Sequence, residues 1–166
     1  MEIKSTITNR IGQVFDVVYR DANSPKALDG KEVDTVHAYC FYGDKIIIVY
    51  ASKKDLWTPP GGGVEVGETI EQTVIREVRE ETNMRIISQK LIGYQEIFEP
   101  EKTIVQTRHL CIVEPIGPFI TDPDEGEITE IKLINPADLK KYVDWGKIGD
   151  HILKRAMEMK KSMQHQ

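Results

Sequence analysis

Apolar residues fall along this chain in two rhythms, and the switch between them places the elements. Residues 33–50 have the strand rhythm: His37-Ala38-Tyr39-Cys40-Phe41-Tyr42, a Gly43-Asp44 break, then Ile46-Ile47-Ile48-Val49-Tyr50. Two β-rich runs around a Gly-Asp pair predict a hairpin whose second strand is buried on both faces. Residues 11–19, with Val14, Val17 and Val18, predict an N-terminal strand, while residues 21–31 collect Asn, Ser, Pro, Asp and Gly and predict a loop. Residues 85–98, 104–113 and 128–134 predict three more strands, the first two separated by the polar Glu99-Pro100-Glu101-Lys102. Over residues 69–82 the rhythm becomes helical. That stretch has no Gly or Pro, is acidic in its first turn and spaces Ile70, Val74 and Val78 four residues apart, with Asn83 as a left-handed stop.

Asn135-Pro136-Ala137-Asp138 has an N-cap residue followed by proline and predicts a short helix. Residues 147–160 carry Ile148, Ile152, Leu153 and Ala156 on one face and predict a C-terminal helix packed on the sheet, with residues 160–166 frayed. Trp57-Thr58-Pro59-Pro60-Gly61-Gly62-Gly63 reads as irregular, because its prolines lack amide donors and its glycines lack side chains to hold a conformation. The order of elements predicts an α/β (α+β) sandwich with a mixed β-sheet.

Composition narrows the picture. A chain of 166 residues, 40% hydrophobic and 30% charged, suits one domain with one good core. The net charge of −5 weighs against a stable nucleic-acid partner held by phosphate neutralisation. Cys40 and Cys111 each sit in an apolar run and read as buried free thiols of a reducing compartment. With no h-region after Met1 and no apolar run near ~18 residues, the expectation is a cytoplasmic protein without membrane contact.

The chemistry concentrates in residues 62–84. Glu77, Glu80 and Glu81 stand at i, i+3 and i+4, so their carboxylates crowd one patch of the helix. At ~100° per residue, Glu77 and Glu81 fall beside the Ile70/Val74 stripe, at the edge of the core. Three like charges there make sense around a divalent cation that takes hard oxygen ligands. Arg76 can orient one carboxylate through a bidentate pair, and Glu65 and Glu68 bracket the entry from the glycine loop into the helix. Glycines let a backbone carbonyl approach a metal, and loop amides at a helix start can receive a phosphate oxygen. Alone, a Glu-rich helix is a solvated face and a Gly run is a turn; their fixed spacing changes the reading.

Gly62, five residues, Glu68, seven residues, then Arg76-Glu77-Val78-Arg79-Glu80-Glu81-Thr82-Asn83-Met84 resembles the box of the Nudix hydrolase family, MutT-like, at every position but one. The departure is Asn83 in place of the usual glycine, a mild change because asparagine tolerates the left-handed conformation. Together with Trp57-Thr58-Pro59-Pro60-Gly61, the likeness extends over about residues 33–160, leaving 1–32 as an N-terminal extension of the 1–166 domain. The resemblance implies a Nudix-type α/β/α sandwich with Mg²⁺ or Mn²⁺ held by Glu77, Glu80, Glu81 and a carbonyl of the Gly61-Gly62 loop. It also implies that Arg76 orients those carboxylates and that Glu68 supports the loop. The activity it implies is hydrolysis of the diphosphate bond of a nucleoside diphosphate linked to another group, such as a nucleoside triphosphate, an oxidised one, or an ADP-ribose-like compound.

The general base stays open among Glu96, Glu99, Glu101, Glu125 and Glu127, with preference for residues 96–101 and Glu127. Trp57, Tyr94, Phe98, Asn135 and Trp145 are candidate substrate contacts, with Trp57, Glu96, Glu99 and Glu127 expected to line the substrate site. His37 and His109 stand in separate strands without a close His/Cys pair, which argues against a zinc site. A small nucleotide-like molecule is the expected partner, a homodimer is compatible, and a ligand sensor on the same fold is the alternative function.

Overall fold

The computed structural model describes residues 1–121 and 127–164. Its nine strands form one branched mixed sheet: β1 (Glu2–Thr8), β2 (Val14–Asp21), β3 (Thr35–Tyr42), β4 (Lys45–Ala51), β5 (Leu56–Thr58), β6 (Gly61–Gly63), β7 (Met84–Phe98), β8 (Thr103–Pro115) and β9 (Ile128–Ile134). The helices are α1 (Ile70–Thr82) and α2 (Gly146–Gln164). Along the sheet the order is β1-β2-β7-β8-β3-β4-β5, with β6 added to β3 and β9 to β4. The central β3 runs parallel to β8 and antiparallel to β4 and β6.

The strand period of two assigns β3 to two cores. Val36, Ala38 and Cys40 pack with Val74 and Val78 of α1, whereas Tyr39 and Phe41 pack with Ile148, Ile152 and Ala156 of α2. The helices therefore cover opposite faces, giving the α/β/α sandwich the sequence predicts. Both cysteines are free and buried, Cys40 beside Cys111 in the β3/β8 register.

At both ends of α1 the sequence dictates the boundary. Thr69 accepts from the Gln72 amide while the Gln72 side chain accepts from the Thr69 amide, a reciprocal capping box that satisfies two donors. Asn83 closes the helix at φ 55°, ψ 38°, and its side-chain amide donates to the Pro118 carbonyl at 2.8 Å. The expected substitute for glycine thus adopts the left-handed state and adds a bond that glycine lacks.

Several expectations need correction. The strand expected over 11–19 is β2, and β1 precedes it; the alternation of Glu2, Lys4 and Thr6 with Ile3, Ser5 and Ile7 is too polar to signal a strand, as suits a sheet edge. Within the N-terminal extension, β2 pairs with β7 over Asp16–Asp21. The loop over 21–31 contains a 3-10 turn, Pro25–Leu28, and the helix opened by Asn135 is also 3-10, Pro136–Lys141. The Pro/Gly run holds two short strands, because strand pairing uses backbone only and Pro59-Pro60 occupies the gap between them. Finally, α2 continues to Gln164, past the expected fraying point at 160.

The two faces give paired stability expectations. Ile152 is fully buried and Ile75 is 48% exposed. Urea unfolding should show Ile152→Ala destabilised by about 2–5 kcal/mol and Ile75→Ala changed by less than about 0.5 kcal/mol.

Candidate active site

The sheet is built to open beside β3. Its Cys40–Tyr42 end pairs with β4, whereas Thr35–His37 pairs with β6, so one edge serves two neighbours and the sheet splits between them. Pro60 bridges the split, its carbonyl accepting from the Ala38 amide at 2.8 Å. Into the opening falls a cleft of about 760 Å³, lined by the glycine strand, α1, Trp57, Glu127, Tyr142 and Trp145.

One glycine is sterically required there, and a second lies against a carboxylate. A Cβ on Gly61 would lie 2.1 Å from the Val36 carbonyl oxygen, and one on Gly62 would lie 2.4 Å from Glu77 Oε1. Only a bare backbone at Gly61 lets β6 sit against β3, and the Glu77 carboxylate packs on Gly62.

Arg76 ties the cluster together. Its Nε and Nη2 donate to the two carboxylate oxygens of Glu68 at 2.7 and 2.9 Å, a bidentate pair. Nη1 donates to Glu77 Oε1 at 2.8 Å and Glu80 Oε2 at 3.3 Å, and Nη2 also reaches the Gly63 carbonyl at 3.0 Å. Glu68 in turn accepts from the Glu65 amide and the Thr73 hydroxyl, both at 3.0 Å, fixing the loop to the first turns of α1. Glu81, buried to 8% exposure, accepts from the Gly61 amide at 2.7 Å. The hydrogen bonds from Arg76 hold the Glu68 carboxyl down at about 2, and those from Glu68 raise Arg76 above its usual value.

Glu77, Glu80, Glu81, Gly62 and Arg76 all line the cleft. Their donor set is the hard oxygen set that Mg²⁺ or Mn²⁺ takes, and the Gly62 cradle leaves carboxylate and backbone in contact. Among the described residues, no three His, Cys, Asp or Glu side chains already stand together as a finished cation cage. The carboxylates are held instead on Arg76 and on the Gly61 amide.

Of the downstream glutamates, Glu127 lines the cleft, its backbone carbonyl accepting from Ser52. Glu96 and Glu99 do not. Glu96 is committed to Arg20 at 2.8 Å and Lys31 at 3.3 Å, while Glu99 sits in the β7–β8 turn, its amide donating to Lys102. Register explains the first: Gln95 pairs with the cleft-lining Gln106, so the next residue, Glu96, points to the other face. Glu125 lies outside the described residues. Trp57 and Trp145 line the cleft, Trp57 packing on Tyr50 and Tyr142, whereas Tyr94 is buried beneath Lys31 and Asn135 caps a 3-10 turn.

Sequence reasoning missed the wall formed by His37, Gln106 and Arg108. Arg108 is 3% exposed and stacks over Trp145 at 4.7 Å; burial pulls it down to about 10, so it remains cationic near neutral pH. Burial of its ring and then the charge of Arg108 push His37 well below the usual imidazole range, so it is neutral. The available signal was alternation in β8, where Gln106 and Arg108 share a face.

A profile described as NUDIX domain matches residues 31–155. The chain belongs to the Nudix family. It is 42% identical over 50 residues to the uncharacterized Nudix hydrolase YvcI of Bacillus subtilis, a stretch covering 30% of this chain and 32% of that one. It is 31% identical over 91 residues to the m7GpppN-mRNA hydrolase NUDT17 of Xenopus laevis, covering 49% and 31%. The matched stretch is thus about a third of each of these curated relatives. In fold it is similar to the Bacillus subtilis pyrophosphohydrolase BsRppH, with TM-score 0.72 and 22% identity over 93% of this chain and 97% of that one.

The Arg76–Glu68 pair has a pH signature. Its folded-state value, about 2, lies below the ordinary 4.5, so its stabilisation is fully present above pH 4.5 and is lost as pH falls through about 2. Acid titration of thermal unfolding should show Glu68→Gln less stable than wild type near neutrality, with the gap narrowing below pH 4.5.

Proposed function

We propose that the protein is a divalent-metal-dependent pyrophosphohydrolase that cleaves the diphosphate bond of a nucleoside diphosphate linked to another group. One observation carries this reading: a single guanidinium, Arg76, is anchored on Glu68 and holds Glu77 and Glu80 in a cleft that bare glycine backbone also lines. A face made only for solubility needs neither the glycines nor the convergence.

Glu77, Glu80, Glu81 and the Gly62 carbonyl would hold Mg²⁺ or Mn²⁺, which supplies Lewis-acid charge and an activated water when bound. Arg76 keeps the carboxylates oriented, and the Glu68 bridge to Thr73 and the Glu65 amide keeps loop and helix in register. Glu127, which lines the same cleft, is the downstream carboxylate we assign to take a proton from the attacking water. Trp57 and Trp145 offer aromatic surface for a nucleobase or sugar. Water adds to one phosphorus, the bridging P–O bond breaks, and two phosphate products leave, one of them a nucleoside monophosphate. The family relation and the BsRppH-like fold support the activity class; nucleoside triphosphates, oxidised triphosphates and ADP-ribose-like compounds are the candidate substrates. A sensor would bind such ligands without turnover.

Assaying that panel with Mg²⁺ and with Mn²⁺ should find a substrate, and Glu80→Gln and Glu81→Gln should lower its turnover on the order of 10²-fold or more. Glu80 is 29% exposed and its 3.3 Å pair with Arg76 is long, so metal-free Glu80→Gln should melt within a few degrees of wild type. Full activity in both variants, or loss through unfolding alone, would make the cluster a structural ion-pair network.

A further inference from the structure

Arg108 is a buried cation with an unusual set of partners. Trp145 covers the face of its guanidinium, and Tyr39 lies beside that ring. Nη1 donates to His37 Nδ1 at 3.2 Å and to the Thr107 carbonyl at 3.1 Å, and Nη2 donates to Gln106 Oε1 at 3.2 Å. Nε is enclosed with no partner among the described residues, as is the neighbouring Thr35 hydroxyl. Burying a guanidinium this way is unfavourable unless hydrogen bonds and a nearby opposite charge compensate it.

The bonding pattern fixes what faces the cleft. A guanidinium only donates, so His37 Nδ1 must accept and the ring hydrogen sits on Nε2. Gln106 Oε1 accepts from both Arg108 and Gln95 Nε2, the latter at 2.9 Å, which leaves its amide N–H groups as the remaining polar atoms. His37 and Gln106 both line the cleft, so this wall presents donors backed by a fixed positive charge. It also abuts the carboxylate side, because a Cβ on Gly61 would lie 2.9 Å from His37 Cδ2 while the Gly61 amide holds Glu81.

We propose that His37 and Gln106, positioned by Arg108, form an anion subsite that grips phosphate oxygens of the ligand beside the acidic cluster. The ligand then brings negative charge next to the buried cation, and the diphosphate is held by donors adjoining the carboxylates. A nucleobase edge with two acceptors fits the same donors, but the buried guanidinium behind them favours the anion. The identification of that anion as a substrate diphosphate rests on the hydrolase reading; the subsite itself does not.

The test is binding of inorganic pyrophosphate in Mg²⁺ buffer to wild type, Gln106→Glu and Arg108→Lys, with thermal unfolding to verify folding. Gln106→Glu replaces donors by a carboxylate and should weaken pyrophosphate about tenfold or more. Arg108→Lys keeps the charge but loses the fork, so pyrophosphate should weaken and the ¹⁵N shifts of His37 should move from a pure Nε2–H tautomer to a mixture. Unchanged pyrophosphate affinity in folded Gln106→Glu overturns the proposal. So does a loss of guanosine binding in that variant while pyrophosphate binds normally, which would make the wall a base reader. If no member of the substrate panel is turned over yet pyrophosphate binding still depends on Gln106, the subsite stands and the hydrolase reading falls.

Discussion

Three carboxylates on one helical patch repel one another, and the structure depends on how Arg76 answers that repulsion. A planar fork with five donors can satisfy several acceptors in fixed directions, which a lysine ammonium cannot. Here the fork spends its bidentate side on Glu68 and turns its remaining nitrogen toward Glu77 and Glu80. The strongest bond therefore anchors the loop, while the weaker ones orient the carboxylates that face the cleft. That division leaves the cleft-facing carboxylates on single bonds from Nη1 while Glu68 takes the bidentate pair.

The second constraint is backbone proximity. The Gly61–Gly63 strand lies between β3 and α1, and the spacing against β3 admits no side chain at Gly61. Because β3 also pairs with β4 further along, the sheet opens where β6 ends, and the cleft inherits one wall from each half. The chemistry thus sits where secondary structure is thinnest, on backbone that the sheet and helix hold from both sides.

Much of this was legible in the residues. The hairpin at Gly43-Asp44, α1 with its Asn83 stop, and β9 follow from periodicity and punctuation, and the acidic cluster follows from i, i+3, i+4 spacing. Less visible were elements whose signal is backbone pairing: β1, with its polar alternation, and β5 and β6, hidden in a Pro/Gly run. Glu96 and Glu99 lay near enough in sequence to be chosen, but the strand period turned Glu96 to Arg20 and Lys31. The Arg108 wall escaped notice because it joins β3, β8 and the segment before α2, and no local pattern announces a contact across seventy-odd residues.

The account's central claim is that Arg76 presets Glu77, Glu80 and Glu81 for a divalent cation. The direct measurement is a Mn²⁺ titration of wild type and Arg76→Lys followed by electron paramagnetic resonance, with folding verified by circular dichroism. Wild type should bind Mn²⁺, and the folded Arg76→Lys variant should bind it about 10-fold more weakly, the scale for removing a group that orients metal-binding side chains. A wild-type protein that takes up no Mn²⁺, or a variant that binds it equally well, would contradict the account.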